Sequence, residues 1–440
     1  MAAMNSLGLQ ALLDKLVSVK GELAWVILGQ VLAFSGGIVT IKVLTNMMGA
    51  ANYGVLALGL TIAGFMNMFI YGPIGQAVSR FFSIYRERDK VETYYGLVWQ
   101  SHGWAFVLVA VLAVAGAVLS GIVADRRWGV IILVAAAFGM IGGWNGTAFN
   151  MLSAMRKRKI AALSQGIESW VRLFIAILAI YLVGGSGGAV LAGYVIGALL
   201  VFIAIATTSD DVGKVMMQRK EPRGLPWKLS YGMREYLKYA GAFSMFAIPA
   251  AVSTYADRWM IQGLFGEAEV GGYVAVYQIA NAPIALFLGV ANQLMIPIIY
   301  EKAGAMTSRD QGVRSRGLLY LLIISFALTM IPVIAVAYFF GEPVVEFFTN
   351  TEFAKYHHLL WLLVVVITVN WVGNLMSIEA EYHNKPAITF WPKMANGLSF
   401  LLLTFLLGKT MGIVGIALAL GAASVVYVLG VAWALKGVRS

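Results

Sequence analysis

Apolar runs of about twenty residues, the length that carries a helix across hydrocarbon, recur from one end of this 440-residue chain to the other. An outer-membrane barrel would show short segments of alternating polarity, and the chain has none of that pattern. Roughly twelve such runs can be drawn, at 21–48, 53–81, 94–122, 128–153, 160–183 and 188–208, then 236–264, 270–300, 315–340, 355–382, 387–408 and 412–435. Composition agrees: 60% of the residues are hydrophobic and 12% charged, where a soluble domain carries about 25% charged residues. Residues 1–20 space Leu7, Leu9, Leu12, Leu13, Leu16 and Val17 around Asp14, Lys15 and Lys20, as in an amphipathic helix lying on a membrane. A cleaved signal peptide fits poorly, because the next run is too long and no small-residue cleavage site follows closely.

Charge then sets an orientation. One set of junctions holds Arg86, Arg88 and Lys90; Arg156, Lys157, Arg158 and Lys159; Lys214 through Lys238; and Lys302 through Arg316. The opposite junctions hold little beyond Arg126, Arg127, Lys355 and Lys409. The basic side is cytoplasmic by the positive-inside rule, which puts both termini in the cytosol. The formal charge of +11 is therefore a topology signal with contact to anionic head groups, not a nucleic-acid surface. The segment 209–235, with Gly224, Pro222 and Pro226, reads as a cytoplasmic linker between a lobe at 21–208 and a second at 236–440. No other segment is long enough for a soluble catalytic or nucleotide-binding domain.

The two halves echo each other. Lys42 precedes the turn Gly49-Ala50-Ala51-Asn52-Tyr53-Gly54, and Asp257-Arg258 precede Gly266-Glu267-Ala268-Glu269-Val270-Gly271. Placing Gly49 on Gly266 brings Lys42 within one residue of Arg258. An internal repeat of this kind in a membrane chain points to a transporter. The expectation is an all-α polytopic membrane protein of about 12 transmembrane helices, in two pseudo-symmetric six-helix lobes around a central cationic cavity.

Charged groups inside such runs are costly in lipid and mark interiors or wet cavities. Lys42 and Arg258 are the matched pair. Glu168 and Arg172 lie one turn apart on one helix face. Arg80 closes the second run, and Asn292, Asn281 and Gln278 line the eighth, with Asn370 and Asn374 in the tenth. Cations in a low-dielectric site bind phosphate oxygens strongly, arginine through a two-pronged fork. The candidates for an anionic ligand are thus Lys42, Arg258, Arg172, Arg80 and Asn292. Asp257, Glu168 and Glu22 are the acids placed to take up a coupling cation. The other reading is that Glu168–Arg172 and Asp257–Arg258 are ion pairs tying helices together, and that Arg80 snorkels to the interface.

Several chemistries are excluded. Cysteine is absent, which removes disulfides, thiolate metal sites and cysteine nucleophiles. His102, His357, His358 and His383 are not spaced as a metal cluster, no serine sits in a Gly-x-Ser-x-Gly elbow, and Gly408-Lys409-Thr410 lacks the upstream glycine of a phosphate-binding loop. No enzyme activity, cofactor or metal is expected. A membrane glycosyltransferase or polymerase would need a longer, carboxylate-rich external loop.

The residues Thr45-Asn46-Met47-Met48-Gly49 before Tyr53-Gly54, and Asp257-Arg258 before Gly266, Val270 and Gly272-Tyr273, resemble the Wzx-type polysaccharide biosynthesis flippases of the multidrug/oligosaccharidyl-lipid/polysaccharide exporter superfamily. The resemblance covers most of the chain. It implies two six-helix lobes with alternating access, and a cargo of undecaprenyl-diphosphate-linked oligosaccharide (an O-antigen or exopolysaccharide repeat unit) turned from the inner to the outer leaflet of the bacterial inner membrane. It further implies glycan-polymerising machinery as a partner, and diphosphate contact by cationic residues such as Lys42 and Arg258; because the chain carries no ATP site, H+ or Na+ is the expected coupling ion. Trp259, Tyr255, Tyr273, Tyr277 and Trp371 are candidates to pack on sugar rings. A cation-coupled drug or metabolite antiporter of related fold is the alternative; it would want acids more than cations in its cavity. Lipid II flippases of this superfamily carry two further spans, which are not visible here.

Overall fold

The computed structural model describes the backbone of residues 2–123, 125–217, 231–304, 309–383 and 385–439, with side chains from 24 onward at most of these positions. Among the described residues the chain is helical and has no strand. Helices α1 (Ala2–Met47) and α2 (Ala50–Met66) lead through a π-helical turn at Asn67–Tyr71 into α3 (Gly72–Glu87). Then come α4 (Val91–Val123), α5 (Arg126–Ala154), α6 (Arg158–Val183), α7 (Gly187–Thr208) and the short α8 (Asp210–Met217). The second half holds α9 (Tyr231–Phe265), α10 (Glu267–Ala303), α11 (Arg309–Phe339), the short α12 (Gly341–Phe348) and α13 (Thr351–Ala354), α14 (His358–Tyr382), and α15 (Phe390–Arg439). Residues 218–230 of the expected linker lie outside the described residues. So do the side chains of the expected amphipathic segment, whose backbone continues α1.

Ten stretches among the described residues are long and apolar enough to cross a membrane. One of them, Pro386–Gly437, is broken at Gly412, where φ is 63°, so it folds as two crossings. With α9, which carries the Asp257–Arg258 pair, the crossings number the twelve expected. Their outward faces are what lipid demands. On α4, Phe106, Val107, Val111, Leu112, Val118 and Leu119 are all exposed, a patch that water would not tolerate on a monomer.

Local chemistry explains the breaks. Pro73 has no N–H to give the carbonyl of Phe69 four residues back, so the helix opens into its π turn just before it. The Ser244 hydroxyl donates to that Phe69 carbonyl at 2.9 Å and satisfies it. Asp125 caps α5 by accepting from the Arg127 N–H at 2.9 Å, and Asn350 caps α13 by accepting from the Glu352 and Phe353 N–H groups. Gly266, at φ 92°, turns the chain between α9 and α10.

The described chain divides into two compact units. The first comprises Met1–Gly37, Ile62–Leu182 and Gly188–Met245. It packs around Tyr71, Phe81, Tyr94, Leu152 and Tyr236, with the Phe81 and Tyr236 rings edge to face at 5.2 Å. The second comprises Ile38–Thr61, Val183–Gly187 and Phe246–Ser440, with Tyr273, Phe326, Phe400 and Tyr427 among its fully buried side chains. The hairpin 38–61 therefore packs with the C-terminal half of the chain. Its Gly54 lies against the Glu267 carbonyl and the Gly271 N–H, while Gly271 lies against the Ala50 carbonyl and the Gly54 N–H. In the alignment of the halves, Ala50 matches Glu267 and Gly54 matches Gly271, so the contact is reciprocal, as at a two-fold axis. Lipid offers no hydrophobic drive between helices, and small residues that let backbones touch are what hold such crossings.

Candidate functional site

In the second unit, the site is built on one turn of α9 facing one turn of α10. Tyr273 and Tyr277 are four residues apart, hence on one face of α10. Tyr273 donates its hydroxyl to Asp257 Oδ2 at 2.8 Å. Asp257 Oδ1 accepts the Arg258 N–H at 2.8 Å and lies 4.0 Å from Arg258 Nη1. Arg258 Nη1 donates to the Thr254 carbonyl at 2.9 Å. Its guanidinium sits 5.5 Å from the Tyr255 ring centre and 5.1 Å from that of Tyr277, close enough for attraction by both ring faces. Asp257 and Arg258 are both buried. Trp259, next in line, donates its ring N–H to Thr61 Oγ1 at 2.9 Å. The remaining N–H groups of the Arg258 fork make no hydrogen bond among the described residues, so the fork keeps donors for a phosphate or carboxylate.

Lys42 stands elsewhere in the same unit and shares no partner with Arg258. Its ammonium donates to the Thr349 carbonyl at 2.7 Å and to the Glu346 carbonyl at 3.2 Å, at the C-terminal end of α12. A cation there meets orphan carbonyls and the negative end of the helix dipole. Asn46 adds a bond to the Thr349 carbonyl at 2.9 Å. Asn350 donates back to the Thr45 carbonyl at 2.7 Å, and Glu352 Oε1 accepts the Ala50 N–H at 3.0 Å. The end of α1 is thereby clasped by the α12–α13 segment.

The first unit holds a counterpart to the Arg258 site. Arg172 Nε lies 3.9 Å from Glu168 Oε1, and its guanidinium is 5.7 Å from the Phe138 ring centre and 5.8 Å from that of Tyr194. Asn145 Nδ2 donates to Glu168 Oε1 at 3.3 Å and to the Ala198 carbonyl at 3.0 Å. Asn145 Oδ1 and Arg172 Nε, both buried, have no hydrogen-bond partner among the described residues. Each unit thus carries an arginine between two aromatic rings, beside one acid.

The other expected residues lie apart from these clusters. Arg80 on α3 and Asn292 on α10 are exposed. Glu22 lies on α1, with its side chain outside the described residues. Sequence reasoning passed over the helical 341–354 segment that clasps α1, because what it offers Lys42 and Asn46 is backbone carbonyls, of Glu346 and Thr349, which leave no mark in a sequence. It also left out Glu379, buried and bonded by Arg316 at 2.8 Å, and His102, buried between the Val98 carbonyl and Thr147 Oγ1, each at 2.9 Å. Among the described residues no three acids or histidines gather as a metal site.

Comparison with known proteins gives a family and a fold. A family model described as "Polysaccharide biosynthesis protein" matches residues 19–302. No curated protein matches the chain by sequence. Among solved structures, the lipid II flippase MurJ in an inward closed conformation superposes with a TM-score of 0.68 at 15% identity, over 95% of this chain and 87% of that one. An inward-facing MATE-family multidrug resistance transporter of the MOP superfamily gives a TM-score of 0.65 at 14% identity, over 93% and 94%. A MOP superfamily transporter from Pyrococcus furiosus with a binding pocket of reverse polarity gives 0.55 at 14% identity, over 95% and 94%. At these identities the likeness is one of fold.

Proposed function

Because the chain belongs to the polysaccharide biosynthesis protein family, we propose that it is a flippase for an undecaprenyl-diphosphate-linked oligosaccharide, an O-antigen or exopolysaccharide repeat unit, which it turns from the inner to the outer leaflet by alternating access. The observation that carries this reading is the buried Arg258 fork, held between two tyrosine rings with donors to spare. A sugar–diphosphate head cannot cross hydrocarbon alone, because its charges and hydroxyls would lose their water. Arginine replaces that water for the phosphates, and Arg172 repeats the arrangement in the first unit. Lys42, Arg80 and Asn292 complete the proposed set of head-group contacts; Lys42 reaches a phosphate only on leaving the α12 carbonyls. The protein sits in the bacterial inner membrane with both termini cytoplasmic, and passes its product to the glycan-polymerising machinery.

Transport draws on a H+ or Na+ gradient in this reading, with Asp257, Glu168 and Glu22 as the acids that take up the ion. The second reading, a cation-coupled drug or metabolite antiporter, is favoured by one observation: Asp257 and Glu168 are buried acids inside the bundle. Each has an arginine beside it, which leaves it little free charge for a cationic drug. The test is complementation of a strain lacking its own flippase, scored for surface glycan, with Lys42→Ala and Arg258→Ala alongside. Restoration by the wild type and failure of Arg258→Ala is the expected result. Full restoration by both variants removes the site assignment, and failure of the wild type with export of cationic dyes turns the reading to the antiporter.

A further inference from the structure

A third cation in the second unit has no role in the sites above. Lys393 lies in the first turn of α15, half-buried, with its ammonium 6.0 Å from the centre of the Tyr427 ring. Among the described residues it makes no hydrogen bond and no ion pair. The acid whose charge reaches it is Glu381, which is exposed and already takes the Tyr300 hydroxyl at 2.5 Å.

Beside Lys393 runs a ladder of neutral polar groups. Tyr427 donates to Asn374 Oδ1 at 3.3 Å and shares a hydrogen bond with Ser377 Oγ at 3.0 Å. Asn374 Nδ2 donates to Asn370 Oδ1 at 3.1 Å, and Asn370 Nδ2 to Ser424 Oγ at 3.3 Å. Asn370, Asn374 and Ser377 recur at the spacing of one face of α14. The Tyr427 ring is seated there because residue 373 is glycine: a methyl group on it would stand 2.5 Å from the ring. Asn370 and Asn374 are only half-buried, so their face is open to a visitor. The one acid on this face, Glu381, lies a turn beyond Ser377 and already takes the Tyr300 hydroxyl, so an ammonium next to hydroxyls and amides is left complementary to an anion that carries hydroxyl groups.

The position adds direction. Asn396, three residues after Lys393, accepts from Ser253 Oγ at 2.9 Å, and Ser253 lies five residues before Arg258. By alternation of crossings, α9 and the first half of α15 run in the same sense. At 1.5 Å per residue, Lys393 then stands about 12 Å from the level of Arg258, toward the Tyr231 end of α9, where the basic junctions gather.

We propose that Lys393, with Asn374 and Asn370, is a second phosphate station that receives a sugar-linked phosphate before Arg258 does. This rests on the flippase reading above and adds an entry site to it.

The experiment uses the full-length protein in detergent. Binding of farnesyl diphosphate, inorganic pyrophosphate and farnesol is followed by tryptophan fluorescence, with thermal unfolding of each variant measured alongside. The wild type should bind the two phosphate probes and not farnesol. Lys393→Gln should weaken both about tenfold, the loss of one charged hydrogen bond, with unchanged thermal unfolding, and Lys393→Arg should restore most of it. Binding of pyrophosphate without farnesyl diphosphate keeps the phosphate chemistry and assigns it to free phosphate instead of a lipid head group. Wild-type affinity in Lys393→Gln, with Arg258→Gln weakened, removes this station and leaves the flippase reading standing. A Lys393→Gln protein that fails to fold also overturns the proposal, since it would give the ammonium a structural partner. Failure of the wild type to bind either phosphate probe overturns both.

Discussion

Gly54 and Gly271, the glycines that the two halves of the chain place at matching positions, lie against each other's backbones where α2 crosses α10. A Cβ on Gly271 would run into the Ala50 carbonyl, and one on Gly54 into the Glu267 carbonyl. Neither obstacle is the end of a flexible side chain, so the helices themselves must part. Gly271→Ala should cost about 1–3 kcal/mol, the range for overpacking, read as a lower midpoint of thermal unfolding in detergent. Gly37→Ala is the control: nothing lies within 4 Å of its Cβ position, and alanine there should leave the midpoint unchanged or raise it. Equal midpoints for the two variants would rule out the crossing as a point of tight packing.

The two acid–arginine pairs should respond unequally to loss of the acid. Asp257 and Arg258 have side chains 3% and 10% exposed, whereas Arg172 is 30% exposed beside Glu168. Asp257→Asn strands a buried guanidinium and should cost about 3 kcal/mol. Glu168→Gln leaves a guanidinium that is less enclosed, and should cost less than about 1 kcal/mol. Unfolding of both variants in one detergent measures the difference; a larger loss for Glu168→Gln would reverse the assignment of burial.

Lys42 gives a prediction of a different kind, because its partners are carbonyls. Lys42→Ala leaves the Thr349 and Glu346 carbonyls without their charged donor at the end of α12, a loss of about 1–3 kcal/mol. Lys42→Arg keeps the charge and should recover most of it. Hydrogen exchange of the 341–354 segment should rise in the alanine variant and stay near wild type in the arginine variant. Unchanged exchange in both would mean that the clasp does not depend on this ammonium.

How much could be read beforehand follows from what leaves a trace in residue order. The crossings were legible because a run of about twenty apolar residues has few other uses, and the hairpin repeat because Gly49 and Gly266 head similar turns. The Asp257–Arg258 neighbourhood was legible in part: adjacent charges in an apolar run must meet something, and Tyr273 and Tyr277 stand one helical turn apart. The clasp on Lys42 was hidden, since Glu346 and Thr349 lie some three hundred residues away and contribute backbone atoms. Lys393 was hidden for another reason. A lysine one turn inside a run reads as a snorkelling anchor, and only the seat that Gly373 makes for Tyr427 sets it beside the amide ladder.

Outside the membrane-spanning segments, Asp211 sets a pH dependence. It accepts from Lys157 Nζ at 2.5 Å and from the Tyr95 hydroxyl at 2.7 Å, tying α8 to the start of α4 and to the turn before α6. Partial burial alone would raise its pKa, but the hydrogen bonds and charge of Lys157, the Tyr95 bond and the charge of Lys214 outweigh that and hold it below the ordinary 3.8. A carboxyl lowered in the folded state contributes stability that is fully present above its unfolded value and lost as pH falls through the folded one. The attachment of α8 should therefore be constant from neutral pH down to about 4 and weaken below that. Lys157 is 41% exposed, so water screens the pair and the whole effect stays under about 1 kcal/mol. Hydrogen exchange of 210–217, followed from pH 7 to pH 3 after correction for intrinsic rates, should show protection falling at the acid end in the wild type. In Asp211→Asn protection should be lower throughout and flat with pH; an acid-end fall of the same size in that variant would assign the dependence to another group.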